Sequence, residues 1–157
     1  MEMLIVATGI ACASMGGVFF AFSSFVMPGL ERLPPAQGIA AMQSINITAV
    51  TPVFMSALFG TAVACLAVLA AAVADQGGAG SVYLISGSLA YLIGAIVVTM
   101  ICNVPLNNAV AAADATSSEA AVVWATYLQR WTAWNHLRTL ASLIAAGLLM
   151  MAFAAGQ

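Results

Sequence analysis

Apolar residues fall along the chain in four long runs, separated by three stretches where polar side chains gather. Roughly 20 apolar residues in a helix cross the ~30 Å of hydrocarbon in a bilayer. Runs from about Leu4 to Phe25, Val50 to Ala74, Val82 to Cys102 and Leu137 to Ala155 meet that length. The first is expected to stop at Pro28-Gly29, and the third at Asn103 with Pro105 beyond it. Gln76 to Ser81, a glycine-rich hexapeptide, predicts a short turn that pairs the second and third spans as an antiparallel hairpin. Segments 29–47 and 109–136 are too polar to span but carry helix signals. Pro34-Pro35 opens a stretch through Ala40 and Met42, and Ser117-Ser118-Glu119 begins a helix running through Trp124 into the fourth span. These elements predict an all-α integral membrane four-helix bundle, one domain over residues 1–157, with a helical extension leading into the fourth span.

Composition sharpens this picture. The chain is 64% hydrophobic and 5% charged, where a soluble domain is about 25% charged. A soluble globule is excluded, and the lipid bilayer becomes the first expected partner. A net charge of −2 without a basic run excludes nucleic acid; a homo-oligomer stays open. The first apolar run lacks a basic flank and, at about 22 residues, exceeds the core of a signal peptide, so it reads as a retained span. All three arginines lie in the connections after spans one and three or at the start of span four. The positive-inside rule then puts those connections in the cytoplasm and both termini outside, in a bacterial-type inner (plasma) membrane.

Cys12, Cys65 and Cys102 form no C-x-x-C pair and read as small apolar packing residues. Small residues at four-residue spacing, Gly9, Ala13, Gly17 and Ala21 in span one and Ser86, Ala90 and Gly94 in span three, predict close helix packing. One histidine and no histidine–carboxylate cluster predict neither haem nor a metal centre, and no cofactor is expected.

In so apolar a chain the polar residues near the spans carry the functional information. Glu31, Arg32, Asn46, Asn103, Asn107, Arg130, Asn135, His136 and Arg138 collect on one side. On a regular helix, Trp124, Tyr127, Trp131, Trp134, Asn135, Arg138 and Ser142 share one stripe, while His136 points elsewhere. An interfacial aromatic belt would explain the tryptophans, but it needs no asparagine and arginine on the same stripe. Asn103 and Asn107, beside Pro105, are placed to meet that stripe across the bundle. The resulting pocket would stack a flat aromatic molecule on tryptophan, with Arg138 against an anionic oxygen and Asn103, Asn107 and Asn135 as neutral donors. His136 is the conventional general base, and Glu31 a second candidate. These residues leave three readings open: an oxidoreductase, a carrier of lipophilic quinone-like ligands, and a structural subunit of a membrane complex.

The segment from Phe19 to Leu30 (FFAFSSFVMPGL) resembles the first-helix signature of the anthrone oxygenase-like membrane proteins. Met42 to Asn46 (MQSIN), Asn103 to Asn107 (NVPLN) and Trp131 to Arg138 (WTAWNHLR) resemble its later blocks in the same order. The resemblance implies oxidation of a phenolic, anthrone-like or quinonoid molecule by O2 as co-substrate, with no conventional cofactor. It also implies a role for Pro28, Asn46, Asn103, Pro105, Asn107, Trp131, Asn135 and Arg138; His136 is not among the shared positions.

Overall fold

The structure is a computed structural model that describes residues 1–75 and 80–155. Among the described residues the chain folds into five helices: α1 (Glu2–Glu31), α2 (Pro35–Ala49), α3 (Pro52–Ala74), α4 (Ser81–Ala111) and α5 (Ala120–Ala155). All but α2 are long and apolar enough to cross a membrane. Large apolar side chains face outward along them, with Val63 65%, Ile93 56% and Leu140 58% exposed, whereas Ser88, Asn135 and Ser142 are fully buried. Such an apolar exterior around polar interior contacts is the arrangement that lipid demands. The expected turn at Gln76 to Ser81 lies largely outside the described residues.

Two spans run further than their sequence predicts. Proline lacks an N–H and its ring collides with the carbonyl four residues back, which argues for a stop. α1 instead passes through Pro28 to Glu31, and α4 passes through Pro105 to Ala111. In each case a π-helical segment lies just before the proline, at Phe22–Val26 and at Thr99–Asn103. A π turn widens the helix and frees the colliding carbonyl, so the proline is absorbed without a break. A further π segment spans Leu92–Val97. The helix start at Ser117-Ser118-Glu119 is present: the Val123 N–H donates to the Glu119 carbonyl, and α5 then continues for 36 residues. At about 54 Å it exceeds the hydrocarbon thickness and projects beyond it. In the connection before it, the Thr116 hydroxyl and N–H both donate to the Asp114 carboxylate and hold its pKa below the usual range.

Around the bundle, α5 packs on α1 and α4, and α3 packs on the same two helices from the other side. The predicted small-residue rows hold in part. Gly9 meets Met150 and Gly94 meets Ala141, whereas Gly17 has open space where a side chain would be and Ser86 is exposed. Two glycines outside the rows, Gly16 against Leu143 and Gly87 against the Ala145 carbonyl, complete the close approaches. Cys12 and Cys65, both buried, meet between α1 and α3 with sulfurs 3.7 Å apart.

Two apolar clusters divide the interior. One, around Cys12, Met15, Cys65, Tyr91 and Leu149, fills the four-helix region. The other, around Met27, Ile39, Met42, Val110, Trp124, Tyr127 and Trp131, packs α2 against the projecting part of α5. Gly38 lets α2 settle on the Trp124 indole, where a β-carbon would come within 2.6 Å of the ring. Between the two clusters lies a polar layer.

Candidate functional site

Arg138 is the centre of that layer. It is 7% exposed, and its guanidinium carbon lies 4.3 Å from the centroid of the Phe19 ring and 5.2 Å from that of Trp131. Nη1 donates to Thr99 Oγ1 at 3.0 Å, and Nη2 donates to the Asn135 side-chain oxygen. The Asn135 amide donates in turn to the Phe19 carbonyl and to Ser23 Oγ, both at 2.7 Å. Thr99 opens one π segment and Ser23 lies in another. The irregular turns that admit the prolines therefore also present the partners of the buried polar pair.

The guanidinium has no carboxylate beside it. The chain holds five acidic side chains, Glu2, Glu31, Asp75, Asp114 and Glu119, and every one is exposed. Arg138 Nε lacks a hydrogen-bond partner, as do the buried donors Trp131 Nε1 and Asn46 Nδ2. All three residues line a cavity of about 570 Å³, as do Phe19, Phe22, Thr99 and Asn107. That volume suits a small-molecule site, for which roughly 300–1,000 Å³ is usual. Its remaining walls are largely apolar and come from α1, α2, α3 and α4, among them Val18, Met42, Ile45, Phe54, Met55, Leu58 and Met100.

The sequence-predicted residues divide into four groups. Asn46, Asn107, Trp131 and Arg138 line this cavity. Asn135, Asn103 and Trp124 are buried beside it: Asn103 donates to the Trp131 carbonyl at 3.3 Å, and Trp124 stacks on Tyr127 at 5.7 Å. Glu31, His136 and Pro28 lie elsewhere, together in a groove of about 460 Å³ between the end of α1 and α5, with Gln129 and Thr132. His136 is exposed there, as the 100° helical spacing anticipates. Trp134 is 37% exposed and lines neither space.

Sequence reasoning gave no role to Thr99, Ser23, Phe19 or Phe22, and placed Tyr127 on the stripe without assigning it one. Tyr127 stacks between Trp124 and Trp131 and donates its hydroxyl to the Asn107 side-chain oxygen at 2.9 Å. Phe22 tilts against Trp131 at 5.8 Å. A signal for Thr99 exists, since it precedes Asn103 by one helical turn in an otherwise apolar run. Ser23 carries no comparable mark. Among the described residues no cluster of three or more metal-ligating side chains occurs.

Comparison with known families adds an independent finding. The family model described as anthrone oxygenase matches residues 52–148. The match takes in Thr99, Asn103, Asn107, Trp131, Asn135 and Arg138, and leaves Pro28, Glu31 and Asn46 outside it. No curated protein and no solved structure matches the chain. With more than half of its length matched, and with four spans around a buried arginine site, this membrane protein belongs to the anthrone oxygenase family.

Proposed function

We propose that the protein oxidises an apolar phenolic or anthrone-like molecule with O2 in the Arg138 cavity. One observation carries this reading: a buried arginine with no carboxylate partner among the described residues lines an apolar cavity, and its Nε has no hydrogen-bond partner. An arginine within a span costs roughly 3 kcal/mol on insertion scales, and membrane proteins retain such residues where they act. An anionic ligand oxygen supplies the missing counter-charge and the missing acceptor together.

The chemistry follows from that contact. An anthrone carries a methylene whose proton is acidic because the resulting charge delocalises onto its carbonyl oxygen. Arg138 and Trp131 Nε1 stabilise that oxyanion in a water-poor site, where donors act strongly. The enolate carbon then gives two electrons to O2, and a C–O bond forms to yield a hydroperoxide. Loss of the second methylene proton breaks the O–O bond and leaves a carbonyl. One oxygen atom ends in that carbonyl, and the other leaves as water with the two hydrogens. The electrons come from the substrate itself, so this sequence calls for no bound redox group. Glu31 and His136 line a separate groove, so in this reading they take the departing proton only through intervening water.

The test is oxygen uptake by proteoliposomes given an anthrone, with protein-free vesicles as the blank. Arg138→Ala is expected to lower uptake on the order of 100-fold, the scale of losing an oxyanion donor, while helical content stays as in the parent. Parent-like uptake by that variant refutes the proposal. Because Glu31 and His136 do not line the cavity, a carrier of lipophilic quinone-like molecules is the second reading. Under it, ligand is recovered unchanged whether or not oxygen is present.

The structure also refines the charge argument for orientation. Arg138 is buried and drops out, leaving the exposed Arg32 and Arg130. Both remain on one side, and we infer that this side is cytoplasmic.

A further inference from the structure

We propose that the cavity is loaded sideways from the hydrocarbon, across a lipid-facing rim formed by Val18, Phe59 and Met100. Its occupant would be a flat, membrane-dissolved molecule bearing one anionic oxygen. The inference rests on the reading of the Arg138 cavity as a ligand site, and it concerns how that site is reached.

Three observations carry it. First, Val18, Phe59 and Met100 line the cavity and are also 38%, 44% and 53% exposed, within spans whose exposed side chains face lipid. The cavity therefore reaches the outer apolar surface of the bundle. Second, the walls are graded. The unpartnered donors of Arg138 and Trp131 lie on residues only 7% and 4% exposed, whereas the rim is wholly apolar. A molecule arriving ring-first from lipid buries its apolar body at the rim and presents its oxygen inside. Third, the other exposed lining residues, Ser44, Thr48 and Val50, belong to a mouth at the end of α2 that a pinned helix holds in place. The end of α2 covers the cavity with Met42 and Ile45, and Met42 is 1% exposed. The Gln43 amide ties that helix down, donating to the carbonyls of Val110 at 2.9 Å and Ala113 at 3.2 Å. Widening that mouth by lifting α2 would break both bonds and uncover the apolar cluster around Trp124. A path through lipid requires neither, and it draws on the large partition of such molecules into hydrocarbon.

The test uses binding kinetics, which need no turnover. The probe is a 2-hydroxy-3-alkyl-1,4-naphthoquinone, an acidic, flat and lipophilic quencher of indole fluorescence. It is mixed with protein in phosphatidylcholine vesicles in a Trp134→Phe background, which removes the exposed indole. Saturable quenching that is lost in Arg138→Gln is expected. Val18→Phe and Met100→Phe should slow its onset by about tenfold, because a narrower route slows passage. Ser44→Phe and Thr48→Phe, which narrow the rival mouth at the end of α2, should leave the onset rate as in the parent. The proposal is overturned if the α2 variants slow binding and the rim variants do not, or if neither pair does. It is also overturned if quenching is unsaturable or survives Arg138→Gln. Normal saturable binding without oxygen uptake on an anthrone leaves lateral loading standing and removes the oxygenase reading.

Discussion

At the scale of single residues, the unusual feature is a charge without a counter-charge. A buried arginine ordinarily pairs with a carboxylate, and here its bonds go to a threonine hydroxyl and an asparagine oxygen. Neutral partners satisfy two of its donors but leave the positive charge uncompensated, which in the proposed reading keeps the site selective for an anion. Thr99→Asp tests this directly, since it sets a carboxylate where Nη1 now meets a hydroxyl. Turnover is expected to fall on the order of 100-fold, as for loss of the donor itself, although the guanidinium is still present. Thr99→Val, which removes only the hydroxyl, should cost less than about tenfold. Oxygen uptake on an anthrone distinguishes the two. Equal losses in both variants would mean that geometry, and not charge, governs the site.

At the scale of helices, the π segments connect sequence to site. Each adds a residue to a turn, so positions beyond it rotate relative to those before it. In α4 the small-residue row fails before the π segment, at the exposed Ser86, while Gly94, inside Leu92–Val97, still meets Ala141. In α1 the row is likewise mixed. Gly9 and Gly16, seven residues apart, face α5, and Gly17 points away. The contrast gives a paired prediction. Gly94→Val, which meets Ala141, should destabilise the bundle by about 1–3 kcal/mol, the usual cost of overpacking. Gly17→Val, with open space around it, should change stability by less than about 0.5 kcal/mol. Unfolding in mixed micelles monitored by circular dichroism measures both, and a similar loss at the two positions would contradict the packing described.

For the whole molecule, the polar layer divides a lipid-embedded bundle from a projecting assembly of α2 and the first turns of α5. That division places the cavity near one end of the bundle. The two exposed arginines lie on the same end, and we propose that this end is cytoplasmic. A cysteine introduced at Thr116, in a background with Cys12, Cys65 and Cys102 replaced by alanine, tests the assignment. A membrane-impermeant maleimide should label it in inside-out vesicles and leave it unlabelled in right-side-out ones. The reverse pattern would invert the orientation.

How much of this was legible beforehand depended on the range of the interaction. Span number, the all-α class and the helical extension follow from runs of apolar residues, because hydrocarbon thickness sets a length that a linear sequence displays. The stripe from Trp124 to Arg138 was legible for a related reason: helical spacing is local, and α5 is regular over that stretch. Trp134, at the edge of the stripe, fell outside the cavity because packing against α1 and α4 selects a narrower face than periodicity alone. The continuation of α1 and α4 through proline depended on π turns, for which propensity offers no rule. The pairing of Asn135 with Phe19 and Ser23 joins residues more than 100 positions apart, and only the folded chain brings them together. Sequence by itself determined that this is a membrane bundle with few polar groups on one side. Tertiary structure decided which of them share a cavity, separating Arg138 from His136 and Glu31, because neighbouring residues on a helix point into different spaces.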